Sequence, residues 1–296
     1  MTALEPATKL TADNTRIVID SPSNVPAALR QQYGMIEVPA LVIFGVDAYR
    51  DGVDLTTDAF YRRFAEYEPQ APTTSQPPPG FFATAYRQAL EEGAEYVAAF
   101  TVTSRLLGTH ASAVTAAQEV AMDRIFVWDS DSMSMGSGWQ AVAAARLIEQ
   151  GIDYQDLLRR LTRIRAETVG YFTAETLKYA ALSGRVSNLQ AGVGDLLGVK
   201  PILSAIHGHV APSARARGRK RSLREVLARF ADALAGRPAN VAVMHANCPD
   251  EAVAYADSVE QAVSVHELQI VEIGPAIASL IGPGTLGLAG YPVPVH

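Results

Sequence analysis

The chain has 296 residues and a formal net charge of −6, with 48% hydrophobic and 19% charged residues. This length is enough for one large domain or two of ordinary size, and the composition is that of a globular protein with a hydrophobic core. The negative charge argues against a general nucleic-acid or anionic-membrane binder. A single cysteine excludes an internal disulfide, and the first ten residues lack the apolar segment of a secretory signal. Without an apolar run of about 18 residues, we expect a cytoplasmic protein with no membrane insertion.

The first half of the sequence alternates apolar runs with amphipathic segments. Apolar runs at 16–20, 36–45, 95–103 and 124–130 predict strands, and the segments between them have apolar residues at helical spacing. Pro39, inside the second run, indicates a sheet edge or a bulge. Strands separated by helices predict a mainly parallel sheet with helices on both faces.

A second domain is predicted after an amphipathic helix that begins near Gly151. Residues 200–217 are typical of two strands joined by a turn at His207–Gly208, and helices alternate with strands after them. A further short helix is predicted over 188–198. A hairpin among such units favours an α+β layer. We therefore predict a two-domain α/β protein, with an N-terminal domain over 1–155 and a smaller C-terminal α+β domain over 156–296.

The stretch Pro72–Phe82, PTTSQPPPGFF, places three hydroxyl side chains next to each other between prolines. It is too polar for a core strand, and its prolines make it too stiff for a flexible linker. The sequence therefore predicts a rigid loop that presents hydroxyl groups.

Hydroxyls and carboxylates also follow three of the predicted strands, where ligands of parallel sheets bind. The residues are Asp20 and Ser21, Thr101, Thr103 and Ser104, and Asp129 and Ser130. For the first and third groups we favour simple capping of the following helix. For Ser104 capping and ligand binding stay open, because it lies at a strand-to-helix turn whose backbone N–H groups attract anions.

Common catalytic motifs are absent from the sequence: it has no G-x-S-x-G elbow, no phosphate-binding P-loop, no cysteine cluster and no H-E-x-x-H. His207 and His209 are expected at an exposed turn rather than at a metal, and Gly282–Gly287 is expected to form a tight turn. We predict neither a metal nor a cofactor. The basic run Arg215–Arg224 fits two interpretations equally: a charged hairpin edge, or a docking surface for an acidic or phosphorylated partner.

Read together, these motifs resemble the DegV family of fatty-acid-binding proteins. The residues that carry the resemblance are IVIDS, RDGVDLTTDAFYRRF followed by PTTSQPPPGFF, TSRLLGTHASA, LSGRVS, GDLLGVKPIL, RARGRKR and EIGPAIASLIGPGTLG, in that order along the chain. They extend from about Arg16 to Gly290.

The resemblance implies two α/β domains with a long-chain fatty acid in a tunnel between them, and no enzymatic activity of the chain itself. It implies that the acid's carboxylate is bound by hydroxyls at Thr73, Thr74, Ser75, Thr103 and Ser104. It also implies a carrier that presents this carboxylate to a separate ATP-dependent fatty acid kinase subunit. Arg217 and Lys220 are then candidates for docking that subunit. Hydroxyls suit a buried carboxylate because they donate charge-assisted hydrogen bonds without a buried counter-ion.

The sequence departs from the family pattern near the expected head group. Leu280 occupies a position where many members have histidine, Leu107 replaces a serine, and His110 falls where an aromatic residue is usual. Two other functions stay open. One is a stand-alone acyl hydrolase with Ser104 as nucleophile, for which His110 is the nearest base in sequence. The other is a regulatory protein that senses lipid supply.

Overall fold

The computed structural model describes residues 4–68, 70–183 and 198–293. The chain divides into two units, Met1–Ala40 with Gln76–Ala166 and Leu41–Ser75 with Glu167–His296. This division differs from the predicted boundary at residue 155. Residues 41–75 join the C-terminal half, so the second unit is the larger of the two and not the smaller.

Strands and helices alternate through most of the described chain. The strands are β1 (Lys9–Leu10), β2 (Thr15–Asp20), β3 (Ile36–Val38), β4 (Leu41–Phe44), β5 (Asp47–Arg50), β6 (Thr73–Ser75), β7 (Tyr96–Thr101), β8 (Ile125–Asp129), β9 (Ile152–Asp153), β10 (Val169–Thr173), β11 (Val199–Ile206), β12 (His209–Arg217), β13 (Ala239–His245), β14 (Val265–Glu272) and β15 (Leu286–Pro292). The helices are α1 (Ala27–Gln32), α2 (Thr57–Tyr67), α3 (Pro79–Glu91), α4 (Thr109–Val120), α5 (Met135–Glu149), α6 (Tyr154–Glu167), α7 (Lys178–Leu182), α8 (Arg219–Leu234), α9 (Pro249–Ala262) and α10 (Pro275–Ile281).

The first unit is built on a parallel sheet in the order β3-β2-β7-β8. Helices connect its strands, which explains the parallel pairing predicted from the alternating pattern. Apolar side chains of α3 and α4, among them Phe82 and Tyr86, are fully buried with Val97 and Ala99 of β7. The carboxyl ends of β2, β7 and β8 therefore lie at one edge of the sheet.

The described residues of the second unit form two sheets. The larger has the order β12-β11-β10-β15-β13-β14, with one parallel pair, β13 and β14. The smaller is antiparallel, in the order β5-β4-β6, and α10 packs against β4 and β6. The hairpin of β11 and β12 is confirmed, with positive φ at His207 and Gly208. This mixed sheet agrees with the predicted α+β character.

Three predicted elements differ in the structure. The run 36–45 is two strands of different sheets, because Pro39 separates β3 from β4. The predicted rigid loop at 72–82 contains strand β6. The sequence predicts a tight turn over Gly282–Gly287 and no strand after it, whereas residues 286–292 form the fully buried strand β15. Most of the helix predicted over 188–198 lies outside the described residues. Within the described ranges, no helix combines the length and hydropathy of a membrane span.

Candidate functional site

Strand β6 consists of three hydroxyl residues, Thr73, Thr74 and Ser75. It pairs antiparallel with β4, so that Ser75 lies opposite Leu41 and Thr73 opposite Ile43. Successive side chains of a strand point to opposite faces. The backbone of this segment is held by its pairing with β4.

A cavity of about 300 Å³ lies within the second unit, beside β6. Its walls combine apolar and hydroxyl side chains: Ala71, Pro72, Thr73, Thr74, Tyr179, Leu182, Ser183 and Leu280. The structure thus brings together two of the predicted site residues, Thr73 and Thr74. It also places Leu280 of α10 on the same wall. Ser75 does not line this cavity.

Tyr179 forms a fixed part of the cavity wall. Its ring contacts Phe64 edge-on, with the ring centroids 5.0 Å apart, and its hydroxyl donates a hydrogen bond to Glu68. Burial, with the Glu68 carboxylate in addition, raises the pKa of Tyr179 to about 12. Gly282 lies directly against the ring, since a Cβ at that position would be 2.1 Å from Cδ2 of Tyr179. No motif in the sequence singles out Tyr179.

The other two predicted site residues, Thr103 and Ser104, lie in the first unit, in the turn after β7. The backbone N–H of Thr103 donates to the carbonyl of Ser132 (2.7 Å), and its buried hydroxyl accepts from the N–H of Arg105 (3.2 Å). The N–H of Ser104 donates to Oδ1 of Asp129 (3.1 Å). Ser104 itself is exposed, so its hydroxyl is open to solvent.

His110 makes its hydrogen bond to Thr101, with Nδ1 3.1 Å from Oγ1. Burial lowers the pKa of His110, and the Asp129 carboxylate opposes this effect. Among the described residues the structure gives His110 no hydrogen bond to Ser104. The nucleophile and base of the predicted hydrolase alternative are therefore not paired.

Asp20 belongs to the same edge of the sheet, at the end of β2. Asp20 is the N-cap residue of a single 3-10 turn, Ser21–Ser23, as the capping interpretation predicts, and its Oδ2 also accepts from the backbone N–H of Val102 (2.9 Å), in the turn after β7. Its Oδ1 accepts from the hydroxyl of Ser23. Asp129 likewise bonds the turn at Ser104, whereas α5 begins six residues later, at Met135. Because Asp and Ser are typical of caps and of strand-end sites alike, sequence reasoning could not separate the two roles.

Three residues with positive φ lie at this edge: Asn24 (51°), Asp131 (48°) and Ser134 (48°). The hydroxyl of Ser134 donates to Oδ1 of Asn24 (2.8 Å). Non-glycine residues seldom adopt this conformation, and such residues are enriched at binding sites. The loops at this edge of the sheet therefore contain several residues in an uncommon backbone conformation.

The side chains of the basic run Arg215–Arg224 have different surroundings in the structure. Arg219 is paired with Glu251 (2.6 Å) and Glu175 (3.5 Å), whereas Arg217 and Lys220 are exposed. Neither of these two residues forms an ion pair within the described part of the chain. In the same ranges, no group of three His, Cys, Asp or Glu side chains is placed to hold a metal ion.

The fold and these two hydroxyl-bearing segments define a two-unit α/β protein with a strand-end polar site and an apolar cavity. The sequence profile of the DegV family matches residues 14–293, and the chain belongs to this family. A DegV domain-containing protein of Streptomyces coelicolor is 33% identical over 273 residues, which are 92% of this chain and 96% of that protein.

Solved structures of the family have the same fold. A DegV family protein of Thermus thermophilus, described as binding fatty acid, has a TM-score of 0.88 and 34% identity, over 95% of this chain and 100% of its own. A stearic acid-binding protein of Eubacterium ventriosum has a TM-score of 0.86 and 27% identity, over 93% and 97% of the two chains. The family and the fold predicted from the sequence are therefore confirmed.

Proposed function

We propose that this protein binds a long-chain fatty acid and acts as a carrier rather than as an enzyme. The observation that carries the proposal is the cavity of the second unit, whose lining residues include Thr73 and Thr74 together with apolar residues. Its volume of about 300 Å³ lies at the lower end of the range of ligand pockets, roughly 300–1,000 Å³. The relatives described as fatty-acid binding support the same ligand class.

The chemistry of the wall fits a fatty acid. Each methylene group that leaves water contributes about 0.8 kcal/mol, so an acyl chain supplies most of the affinity. Hydroxyl donors orient the carboxylate at a smaller cost than a buried cation would impose. We assign this role to Thr73, Thr74, Ser75, Thr103 and Ser104. That the acid lies in a tunnel between two domains stays a prediction from the resemblance.

Solvent extraction of freshly purified protein, followed by mass spectrometry, tests the ligand. We expect one predominant fatty acid at a near-equal molar ratio to the protein. If no lipid is extracted and none is taken up when fatty acids are added, the proposed function is wrong. A titration with p-nitrophenyl esters tests the hydrolase alternative, because steady release of acid by the pure protein would favour it.

We further propose that the carrier presents the carboxylate to a separate ATP-dependent kinase subunit. Arg217 and Lys220 are the residues we assign to docking, since both are exposed and form no ion pair within the described ranges. The test is the formation of acyl phosphate from ATP by a bacterial fatty acid kinase subunit supplied with the loaded carrier.

The charge reversals Arg217→Glu and Lys220→Glu should each raise the carrier concentration required for half-maximal rate about fivefold. Arg160→Glu, at an exposed position of α6, serves as the matched control and should have no effect. Equal rates for all three variants would contradict the docking assignment. A loaded carrier that is never phosphorylated would favour a regulatory role instead.

A further inference from the structure

Asp20 is a fully buried carboxyl group with no cation beside it. Its exposed fraction is 0%, and it forms no ion pair with any residue that the structure describes. Its partners are the backbone N–H groups of Val102 and Ser23 and the hydroxyl of Ser23. An ionised carboxylate in such a place is costly because the lost hydration is not replaced by an opposite charge.

The hydrogen bonds around Asp20 can accommodate a proton. The hydroxyl oxygen of Ser23 lies 3.1 Å from that of Ser137, in the first turn of α5. When Asp20 is ionised, the Ser23 hydroxyl donates to Oδ1. When Oδ1 carries a proton, it can donate to Ser23, and the Ser23 hydroxyl can rotate to donate to Ser137. Oδ2 accepts from Val102 in both cases, so the carboxyl group of Asp20 keeps hydrogen-bond partners in either state.

The charged groups around Asp20 do not stabilise its anion. Glu37 of β3 is a like charge, paired with Arg30 of α1, and it adds a smaller unfavourable contribution. Asp131, in the loop after β8, is paired with Arg105 of the neighbouring turn (3.1 Å). Burial is the main effect, and it raises the pKa of Asp20 to about 7.

Two more titratable groups lie at this edge. Asp129, at the end of β8, accepts a hydrogen bond from the N–H of Ser104. His110, on α4, has a pKa lowered by burial. Burial therefore disfavours its charged form, and it is not among the groups that act on the pKa of Asp20.

Asp20 is also adjacent to the proposed head-group site. Val102, which donates to it, is followed in the chain by Thr103 and Ser104, the residues assigned to the ligand's carboxylate. A second negative charge at this turn favours the neutral form of a nearby carboxyl group. We propose that binding of a fatty-acid carboxylate at the Thr103–Ser104 turn is coupled to the uptake of a proton by Asp20. This inference depends on the proposed function.

Calorimetric titration with dodecanoate tests the coupling. Titrations at pH 7.5 in buffers of different ionisation enthalpy give the number of protons taken up per ligand. We expect between half a proton and one proton per dodecanoate for the unmodified chain at pH 7.5. At pH 5.5 we expect uptake to fall below about a third of that value, because Asp20 is then protonated before the ligand binds.

Asp20→Asn is the decisive variant, because the amide keeps an acceptor for Val102 and cannot titrate. We expect its proton uptake to be near zero while dodecanoate still binds. Asp153→Asn removes the same charge at an exposed position of the same unit and should behave like the unmodified chain. If Asp20→Asn fails to fold, Ser137→Ala replaces it. Removing the acceptor of the rotated Ser23 hydroxyl should move the pH at which uptake is half-maximal downward by at least half a unit.

The outcomes separate the inference from the proposed function. Equal proton uptake by the unmodified chain and Asp20→Asn, or binding without uptake at pH 7.5, overturns the coupling and leaves the carrier function standing. If Ser137→Ala does not change the pH at which proton uptake is half-maximal, the coupling is contradicted as well. Absence of dodecanoate binding at every pH, with no lipid extracted from the purified protein, overturns the carrier function itself.

Discussion

The two hydroxyl-bearing segments are held in different ways. The turn at Thr103–Ser104 depends largely on side chains, because Asp20 accepts the backbone N–H of the preceding residue, Val102, and Asp129 accepts that of Ser104. Strand β6 depends on its backbone pairing with β4, and its threonines line a cavity. A site built on buried polar bonds loses stability when one bond is removed, whereas a strand tolerates the loss of a hydroxyl. The comparison therefore predicts which substitutions affect folding and which affect binding alone.

Gly282→Ala should have the largest effect, through the cavity of the second unit. Gly282 has φ of 78°, and the added Cβ would overlap the ring of Tyr179, which is held by Phe64. Together, the backbone strain and the displaced ring should reduce the free energy of unfolding by about 4 kcal/mol, measured by urea denaturation.

Gly236→Ala is the matched control for this substitution. Gly236 also has a positive φ, 71°, but no atom lies within 4 Å of the added Cβ. It should cost about 1 kcal/mol, which is the backbone contribution alone. Equal losses of unfolding free energy for the two variants would show that the contact between Gly282 and the ring of Tyr179 adds nothing to the effect.

The second prediction concerns the pH dependence of stability. The pKa of Asp20 is about 7 in the folded chain and near 3.8 when the chain unfolds. The folded state therefore binds the proton more tightly, and this contribution to stability is lost as the pH rises from about 4 to 8. The loss should approach about 4 kcal/mol and be absent from Asp20→Asn, measured by chemical denaturation at each pH. Parallel pH profiles for the two proteins would contradict the assignment.

Gln140→Leu should weaken the first unit by removing a shared partner. Its buried amide accepts from Nε1 of Trp128 (2.8 Å) and donates to the carbonyl of Ser130 (2.9 Å). With these two groups left unpaired, the free energy of unfolding should fall by about 2 kcal/mol. Gln88→Leu, at an exposed position of α3, should change it by less than about 0.5 kcal/mol, since surface substitutions have small effects.

The smallest effects are expected from the hydroxyls themselves. Ser104→Ala and Thr73→Val should each weaken the binding of a fluorescent fatty acid by about 1 kcal/mol, or fivefold, while stability changes little. Thr115→Val, on the exposed face of α4, is the control. Unchanged affinity for Ser104→Ala would show that this residue does not bind the ligand. Unchanged affinity for Thr73→Val would show that the hydroxyl of Thr73 does not bind it.

Much of the first unit could be predicted from the sequence because its strands and helices have clear periods. The position at which the chain passes from the first unit to the second could not be predicted in the same way. Pro39 indicates an interruption, but only the pairing of β4 with β6 shows that the chain continues in another sheet. Strand β15 was missed because Gly287 and Gly290 suggest turns. In the structure they allow close packing, since a Cβ at Gly290 would lie 2.3 Å from the carbonyl oxygen of Asn240.

The sequence could indicate only part of the candidate site. Hydroxyl residues stand out in sequence, so Thr73, Thr74 and Ser104 were noticed as candidates. Asp20 and Tyr179 act through contacts that are distant in the chain, and a single buried carboxyl or ring has no periodic signal. Their roles depend on which groups surround them, and only the fold supplies that information.

The segment 41–75 has a consequence for synthesis on the ribosome. It emerges early, yet the strands and helices of the second unit follow more than 90 residues later. Until those residues have been synthesised, the apolar side chains of this aromatic-rich segment are exposed to aggregation. Phe44 contacts Phe60 (6.0 Å) and Tyr67 (5.1 Å), and Phe60 contacts Phe64 (5.4 Å). These contacts all lie within the segment 41–75, so the segment can bury part of its own apolar surface before the rest of its unit is synthesised.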